Sequence, residues 1–261
     1  MKDTINCLDL KESPRQRLLI TGDKNGNISF FLIQNNTLAK ISYLKSNHNI
    51  RTMRIHNHLL ITSANKDKTQ ITDFSSTTHL KVLKVLEPGF KCGGLNDCFD
   101  VDKSSSQVFG YDEFQKIKVL NLKQNFKESQ FPVDSFTESF IFKVLPLKKV
   151  LIVCTRTKII EIDLDTMKMV RNADLKTNGS ILLEFSKNED FLFITENKFV
   201  LYIVQYSNLK VVNKILVPSR FIALSFPKKS NFIYGILESS NLVFYGNPQQ
   251  FLKGFKTSYK I

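Results

Sequence analysis

Leu18-Leu19-Ile20-Thr21 recurs letter for letter as Leu59-Leu60-Ile61-Thr62, an offset of 41 residues. The same offset returns near the other end. There Phe185-Ser186-Lys187-Asn188-Glu189-Asp190-Phe191-Leu192-Phe193-Ile194 aligns with Phe226-Pro227-Lys228-Lys229-Ser230-Asn231-Phe232-Ile233-Tyr234-Gly235. A third series, Asn121, Asp163 and Gln205, closes short apolar runs at steps of 42. Asp73 precedes Asn121 by 48, so one period carries an insertion. A fixed period of this length is the sequence mark of a repeat architecture, and three agreeing series are not a chance coincidence.

Each period contains short β-prone runs separated by turn residues. Arg17 to Thr21 is apolar, and Asp23-Lys24-Asn25-Gly26-Asn27 supplies a hairpin turn that places Gly22 and Gly26 together in the loop. Ile28 to Ile33 and Leu38 to Leu44 complete the first period, and four such runs recur in the later ones. The third and fourth periods are looser, with a poor fourth run near Phe126–Phe131. No segment keeps a 3.6-residue apolar period with capping residues, so the expectation is strands with few helices. Four antiparallel strands in about 42 residues match one blade of a β-propeller, and six such periods fill nearly all of the 261 residues.

The repeats resemble the WD40-like family, because Thr72-Asp73 and Ile162-Asp163 stand where that family often ends its third strand with Trp-Asp. The likeness lies in the strand pattern, since the chain has no Trp and no Gly-His dipeptide opens a repeat. It implies an all-β fold: a single WD40-like β-propeller domain over 1–261 with six four-stranded blades, near 1–45, 46–87, 96–132, 138–176, 179–218 and 219–261. Asp73 and Asp163 are then structural residues of the strand-end turn. Thr4–Leu10 is expected as an inner strand and Phe251–Tyr259 as an outer one. No spare strand is left to clasp the ring, which either closes by packing or stays open to a partner strand.

The chain carries 37 Lys and Arg against 24 Asp and Glu, for a net charge of +13. From Lys198 onward nine basic residues face one acid, Glu238. Such an excess suits phosphate backbones or acidic protein surfaces. Only seven of the 37 are Arg, the residue favoured for bidentate phosphate and base recognition, so solvation competes with RNA contact as the explanation. By the family resemblance, Arg15, Arg17, Lys187, Lys210, Lys228 and Lys229 share one face of the ring as the candidate contact for nucleic acid or an acidic partner. Lys24, Lys66, Lys68, Arg156, Lys158 and Lys198 occupy the opposite face. The Phe-Arg-Arg-Gly motif of phosphoinositide-binding propellers is absent.

Catalytic motifs are missing: there is no Gly-x-Ser-x-Gly, P-loop or His-Glu-x-x-His. His56 and His58 fall in a turn and are expected in solvent; with His48 and His79 they supply no metal-ligand pattern. Cys92 and Cys98 are too far apart for a zinc knuckle, and the four scattered Cys suit a reduced, intracellular protein. Asn27-Ile28-Ser29, Asn35-Asn36-Thr37 and Asn178-Gly179-Ser180 read as turn chemistry. No apolar run reaches the roughly 18 residues of a membrane helix, and the N-terminus does not resemble a signal peptide. The insertion Glu87–Asn96 reads as a flexible connection or a binding loop. The functional expectation is a non-enzymatic scaffold for protein subunits of a larger complex, with RNA held through phosphates if RNA is present. No catalytic residue, metal, cofactor, small-molecule substrate or membrane insertion is expected. The alternative is a coat or vesicle-trafficking subunit completed by a partner strand or blade.

Overall fold

The computed structural model describes residues 5–246 apart from 14–15, 36, 47–48, 65–67, 78, 91–98, 113, 115, 131–140, 178–179, 197–199, 218, 220, 226–232 and 238–239. Among the described residues the chain is all-β, without a helix. It divides into two compact units, Met1–Phe131 and Pro132–Ile261.

The first unit holds three four-stranded antiparallel sheets, each a meander in chain order. They are β1 (Ile5–Glu12), β2 (Arg17–Asp23), β3 (Asn27–Gln34) and β4 (Thr37–Lys45); β5 (Ile50–His56), β6 (Leu59–Ala64), β7 (Lys68–Asp73) and β8 (Lys81–Leu86); and β9 (Phe99–Asp102), β10 (Gln107–Tyr111), β11 (Ile117–Asn121) and β12 (Lys127–Gln130). The second unit holds two more: β13 (Ile141–Leu145), β14 (Val150–Cys154), β15 (Lys158–Asp163) and β16 (Met169–Asp174), then β17 (Ser180–Phe185), β18 (Phe191–Glu196), β19 (Val200–Gln205) and β20 (Lys210–Leu216). A last sheet shows three strands among the described residues, β21 (Phe221–Ser225), β22 (Ile233–Leu237) and β23 (Ser240–Gly246). The expected strand Phe251–Tyr259 lies outside the described residues.

The repeated tetrapeptide explains how the sheets stack. Successive side chains of a strand point to opposite faces. Leu60 therefore joins Leu18, Ile20, Phe30, Met53 and Phe74 in a core between the first and second sheets. Leu59 and Ile61 turn the other way, into a core with Ile71, Phe90, Phe99 and Val108 between the second and third. In the second unit Leu192 and Ile194 pack with Ile152 and Cys154, whereas Phe193 faces Phe221. A middle sheet buried on both faces must be apolar at consecutive positions, which is why Leu-Leu-Ile does not alternate with polar residues.

The turns repeat as well as the strands. Residues Asn57, Ser106, Lys149 and Glu189 adopt a positive φ between the first and second strands of their sheets, and Asn35, Asn125, Met167 and Leu209 do so between the third and fourth. The residue after the third strand returns its amide to the first turn: Phe74 N–H donates to His58 O, Leu122 to Ser106 O, Leu164 to Lys149 O and Tyr206 to Asp190 O, at 2.8–3.0 Å. Four outer strands carry an extra residue in the ladder to the third strand, Ile41, Leu83, Val170 and Val212. Bulges of this kind bend an edge strand and break its flatness.

Three sequence expectations change. Gly22 is not in the hairpin loop but inside β2, where a Cβ would lie 2.7 Å from Ile50 Cγ2 and 2.8 Å from Met53 Cε; the bare backbone admits the next sheet. Gly26 alone takes the turn conformation, at φ 84°. The start of the insertion is not a loose connection. Phe90 is buried, its N–H donates to Thr69 Oγ1 (2.8 Å) and its carbonyl accepts from Ser63 Oγ (3.1 Å). Residues 91–98, with Cys92 and Cys98, lie outside the described residues. His56 is the third change: it ends β5 buried, only 3% exposed, rather than in solvent.

Candidate interaction surfaces

The strand-end turns come directly from their sequence. Asp73 closes β7 and its Oδ1 accepts the Ser75 N–H at 2.7 Å. Asp163 closes β15 and its Oδ1 accepts both the N–H (2.6 Å) and the hydroxyl (2.8 Å) of Thr166. Asn121 does the same for the Lys123 and Gln124 amides. These local bonds favour the carboxylate, so backbone donation from Ser75 and from Thr166 lowers the Asp73 and Asp163 pKa values. The second turns use an equivalent device that the sequence reading missed beyond Asp23. Asp23 Oδ1 accepts from Asn25 and Asn27, Asp112 Oδ1 from Phe114 and Lys116, and Thr155 Oγ1 from Thr157 and Lys158.

The candidate contact residues are dispersed. Arg17 opens β2, exposed and 3.4 Å from Glu12. Lys187 and Lys210 lie at one end of the β17–β20 sheet, in the first turn and at the start of β20, and both are exposed. The Tyr206–Asp190 backbone bond ties those two turns together. Arg15, Lys228 and Lys229 lie outside the described residues, as do Lys66, Lys198 and His48. Lys24, Arg156 and Lys158 are exposed at second turns, and Lys68 is paired with Glu87 at 2.5 Å.

A charged position on the first strands was also missed. Asp9, Arg54, Asp100, Lys143 and Glu184 each stand opposite a fully buried residue in the middle of the second strand: Ile20, Ile61, Phe109, Ile152 and Phe193. Their signs alternate along the chain. In the first unit Asp9 Oδ2 accepts the Ile55 N–H at 2.7 Å, and Arg54 Nε reaches Asp100 Oδ1 at 3.4 Å. In the second, Lys143 Nζ donates to Glu184 Oε2 at 2.8 Å. Within each unit one pair of neighbouring first strands thus neutralises its charges, unlike the single-sign lining that concentrates an anionic ligand. Aligning the repeats on the second strand would have exposed this spacing, because Asp9, Arg54 and Asp100 are 45 and 46 residues apart.

Further polar groups join one sheet to the next. Glu161 and Arg171 pair at 2.6 Å; Arg171 also donates to the carbonyls of Ser207 (2.5 Å) and Tyr206 (2.8 Å), and the Tyr206 hydroxyl donates to Glu161 Oε1 (2.8 Å). Glu189, 1% exposed, accepts the Leu147 and Lys148 amides at 3.0 and 2.9 Å. Burial raises its pKa, against those two bonds. His56 Nε2 lies 3.0 Å from Ser106 Oγ, while the buried Nδ1 has no partner among the described residues. Burial, then Lys103 and Lys123, lower the His56 pKa. Among the described residues no group of three His, Cys, Asp or Glu converges to hold a metal, and no helix is long and apolar enough to cross a membrane.

Exposed apolar side chains concentrate on outer strands. They are Leu38 and Tyr43 on β4, Val82, Leu83 and Val85 on β8, Met169 and Val170 on β16, and Val212 and Leu216 on β20. Leu8 and Leu10 are exposed on β1, on the face opposite Asp9 and Lys11, which are turned toward the second sheet. No protein-family model and no curated protein matches the chain.

Proposed function

We propose that the successive sheets are blades of one six-bladed, WD40-like β-propeller over 1–261, and that the chain is a non-enzymatic scaffold for protein subunits of a larger intracellular assembly. The observation that carries this reading is the placement of exposed apolar side chains on the outer strands of sheets whose middle strands are largely buried. Apolar groups held on a rigid framework lose little entropy when a partner covers them. The charge distribution supports protein partners ahead of RNA. Arg54, Lys118, Lys143, Lys148, Lys149 and Arg171 all lie within 4 Å of an acid of their own unit. RNA, if the assembly holds it, would be met through phosphates by Arg15, Arg17, Lys187, Lys210, Lys228 and Lys229.

The test is a tagged pull-down from native extract, split into nuclease-treated and untreated halves and read by mass spectrometry. A defined set of protein partners surviving nuclease is the expected result; a chain that enriches no protein overturns the scaffold. Partners lost on nuclease treatment establish the ribonucleoprotein form. In that form, replacing Lys210, Lys228 and Lys229 together by Ala weakens binding and flattens its salt dependence. Exposed Leu8 and Leu10 favour a second reading, in which a coat or trafficking partner completes the structure with a strand or blade of its own.

A further inference from the structure

The edge strand β8 differs from the other outer strands in how it is dressed. Five of its six residues are exposed, including Val82 (43%), Leu83 (37%) and Val85 (44%). The register sorts them by face. Val82 and Val85 stand opposite Thr72 and Gln70, and Lys81 and Lys84 stand opposite Asp73 and Ile71 on the other face, with Leu83 at the bulge. The strand therefore has an apolar face and a cationic face. Neither lysine forms an ion pair or hydrogen bond among the described residues. Several cations on other outer strands are engaged within their own unit: Lys40 lies over Tyr43, Lys45 donates to Asn25 O, Arg171 grips Glu161, and Lys214 lies over Tyr202. The outer strand β12, Lys127-Glu128-Ser129-Gln130, carries no apolar side chain at all.

An edge strand presents unpaired backbone groups, and lysines on it discourage pairing with neutral or basic strands, including a second β8. The same lysines select an acidic one, because specificity is a difference between wanted and unwanted partners. We infer that β8 is the docking edge for an extended partner segment alternating acidic and apolar residues, added as a fifth strand of the β5–β8 sheet. Its acids lie beside Lys81 and Lys84 and its apolar side chains beside Val82 and Val85. Main-chain bonds supply affinity and the two faces supply selection. This rests on the scaffold reading and names the chemistry of one of its partners.

The probe is a fluorescein-labelled octapeptide alternating glutamate and valine, titrated into the full chain by anisotropy, with hydrogen exchange of residues 81–86 read in parallel. Binding with slowed exchange in β8 is the expected result. Replacing every glutamate by glutamine, methylating alternate peptide nitrogens, or introducing Lys84→Glu should each weaken binding about tenfold or more, since each removes one recognition element. Lys127→Glu on β12 should leave it unchanged. Absence of binding, equal binding of the glutamine or N-methylated peptide, or protection confined to another strand overturns the inference. Its failure is distinguishable from that of the scaffold. If wild-type and Lys84→Glu chains capture the same proteins, the edge assignment fails while the scaffold stands; a wild-type chain that captures none removes the scaffold itself.

Discussion

Phe90 and Gly110 form a lock whose energetics can be worked out from the contacts. Phe90 is 2% exposed, stacks on Phe99 with ring centroids 5.7 Å apart, and is held at its backbone by Thr69 and Ser63. Burying a Phe removes on the order of 200 Å² from water, and truncation to Ala costs about 3–5 kcal/mol once the cavity is included. Gly110 lies under the ring: a Cβ there would stand 2.0 Å from Phe90 Cδ1 and 2.4 Å from Cγ. The anchored backbone restrains the ring from retreating, so Gly110→Ala should cost about 1–3 kcal/mol by overpacking. The two effects oppose each other. In the Phe90→Ala background the clash is gone, the new methyl occupies part of the void, and Gly→Ala restricts the unfolded chain, which is worth about 0.4–1 kcal/mol at a compatible position. Gly110→Ala should then be neutral or stabilising, for a coupling of about 1–3 kcal/mol. Urea unfolding of the four chains, followed by far-ultraviolet circular dichroism and by tyrosine fluorescence, measures the cycle. Coincident transitions license the comparison. Additive costs, or a Gly110→Ala chain as stable as wild type, would refute the packing argument.

Three further predictions concern polar groups that are buried or half-buried. His56 has a folded pKa below 6.5, so the unfolded chain binds its proton more readily; its stabilising contribution is complete above pH 6.5 and is lost as the pH falls through the folded value. Urea midpoints between pH 7.5 and 5 should fall more steeply for wild type than for His56→Gln, and parallel slopes would count against the assignment. Glu189→Ala leaves two turn amides to water and should cost about 1–3 kcal/mol in the same assay, with faster exchange at Leu147 and Lys148. Arg171→Lys keeps the charge but loses the planar fork that spans Glu161 and two carbonyls, and should cost about 1–2 kcal/mol. An unchanged midpoint would make that bridge a surface contact of no consequence.

The sequence conveyed what is local and periodic. Leu59-Leu60-Ile61 announces a strand buried on both faces, and Asp73 and Asp163 announce their turns because the bonds they make reach only two or three residues along the chain. What escaped depends on partners far away in sequence. His56 looks like a turn residue until Ser106, 50 positions on, packs over it. Gly22 looks like loop punctuation until Ile50 and Met53 come to rest on it. Phe90 looks like part of a loose insertion until Gly110 makes room for its ring. The alternating first-strand charges are spaced unevenly, because the loops between sheets differ in length, so a fixed-period search passes over them. The dispersed lysines carried no pattern of their own; only the register shows that Lys81 and Lys84 share a face.

The alternation of charge on the first strands has a bearing on how such a chain can be edited. Each sheet looks like an interchangeable module, yet each of the first five carries a sign on its first strand that an oppositely signed neighbour answers. Excising β5–β8 would set Asp9 of β1 against Asp100 of β9, two carboxylates in place of a complementary series. Doubling the same sheet would set Arg54 against its own copy. A module inside this series can be lost without repulsion only together with an oppositely signed neighbour, so the order of these sheets is written in charge as well as in the loops that join them.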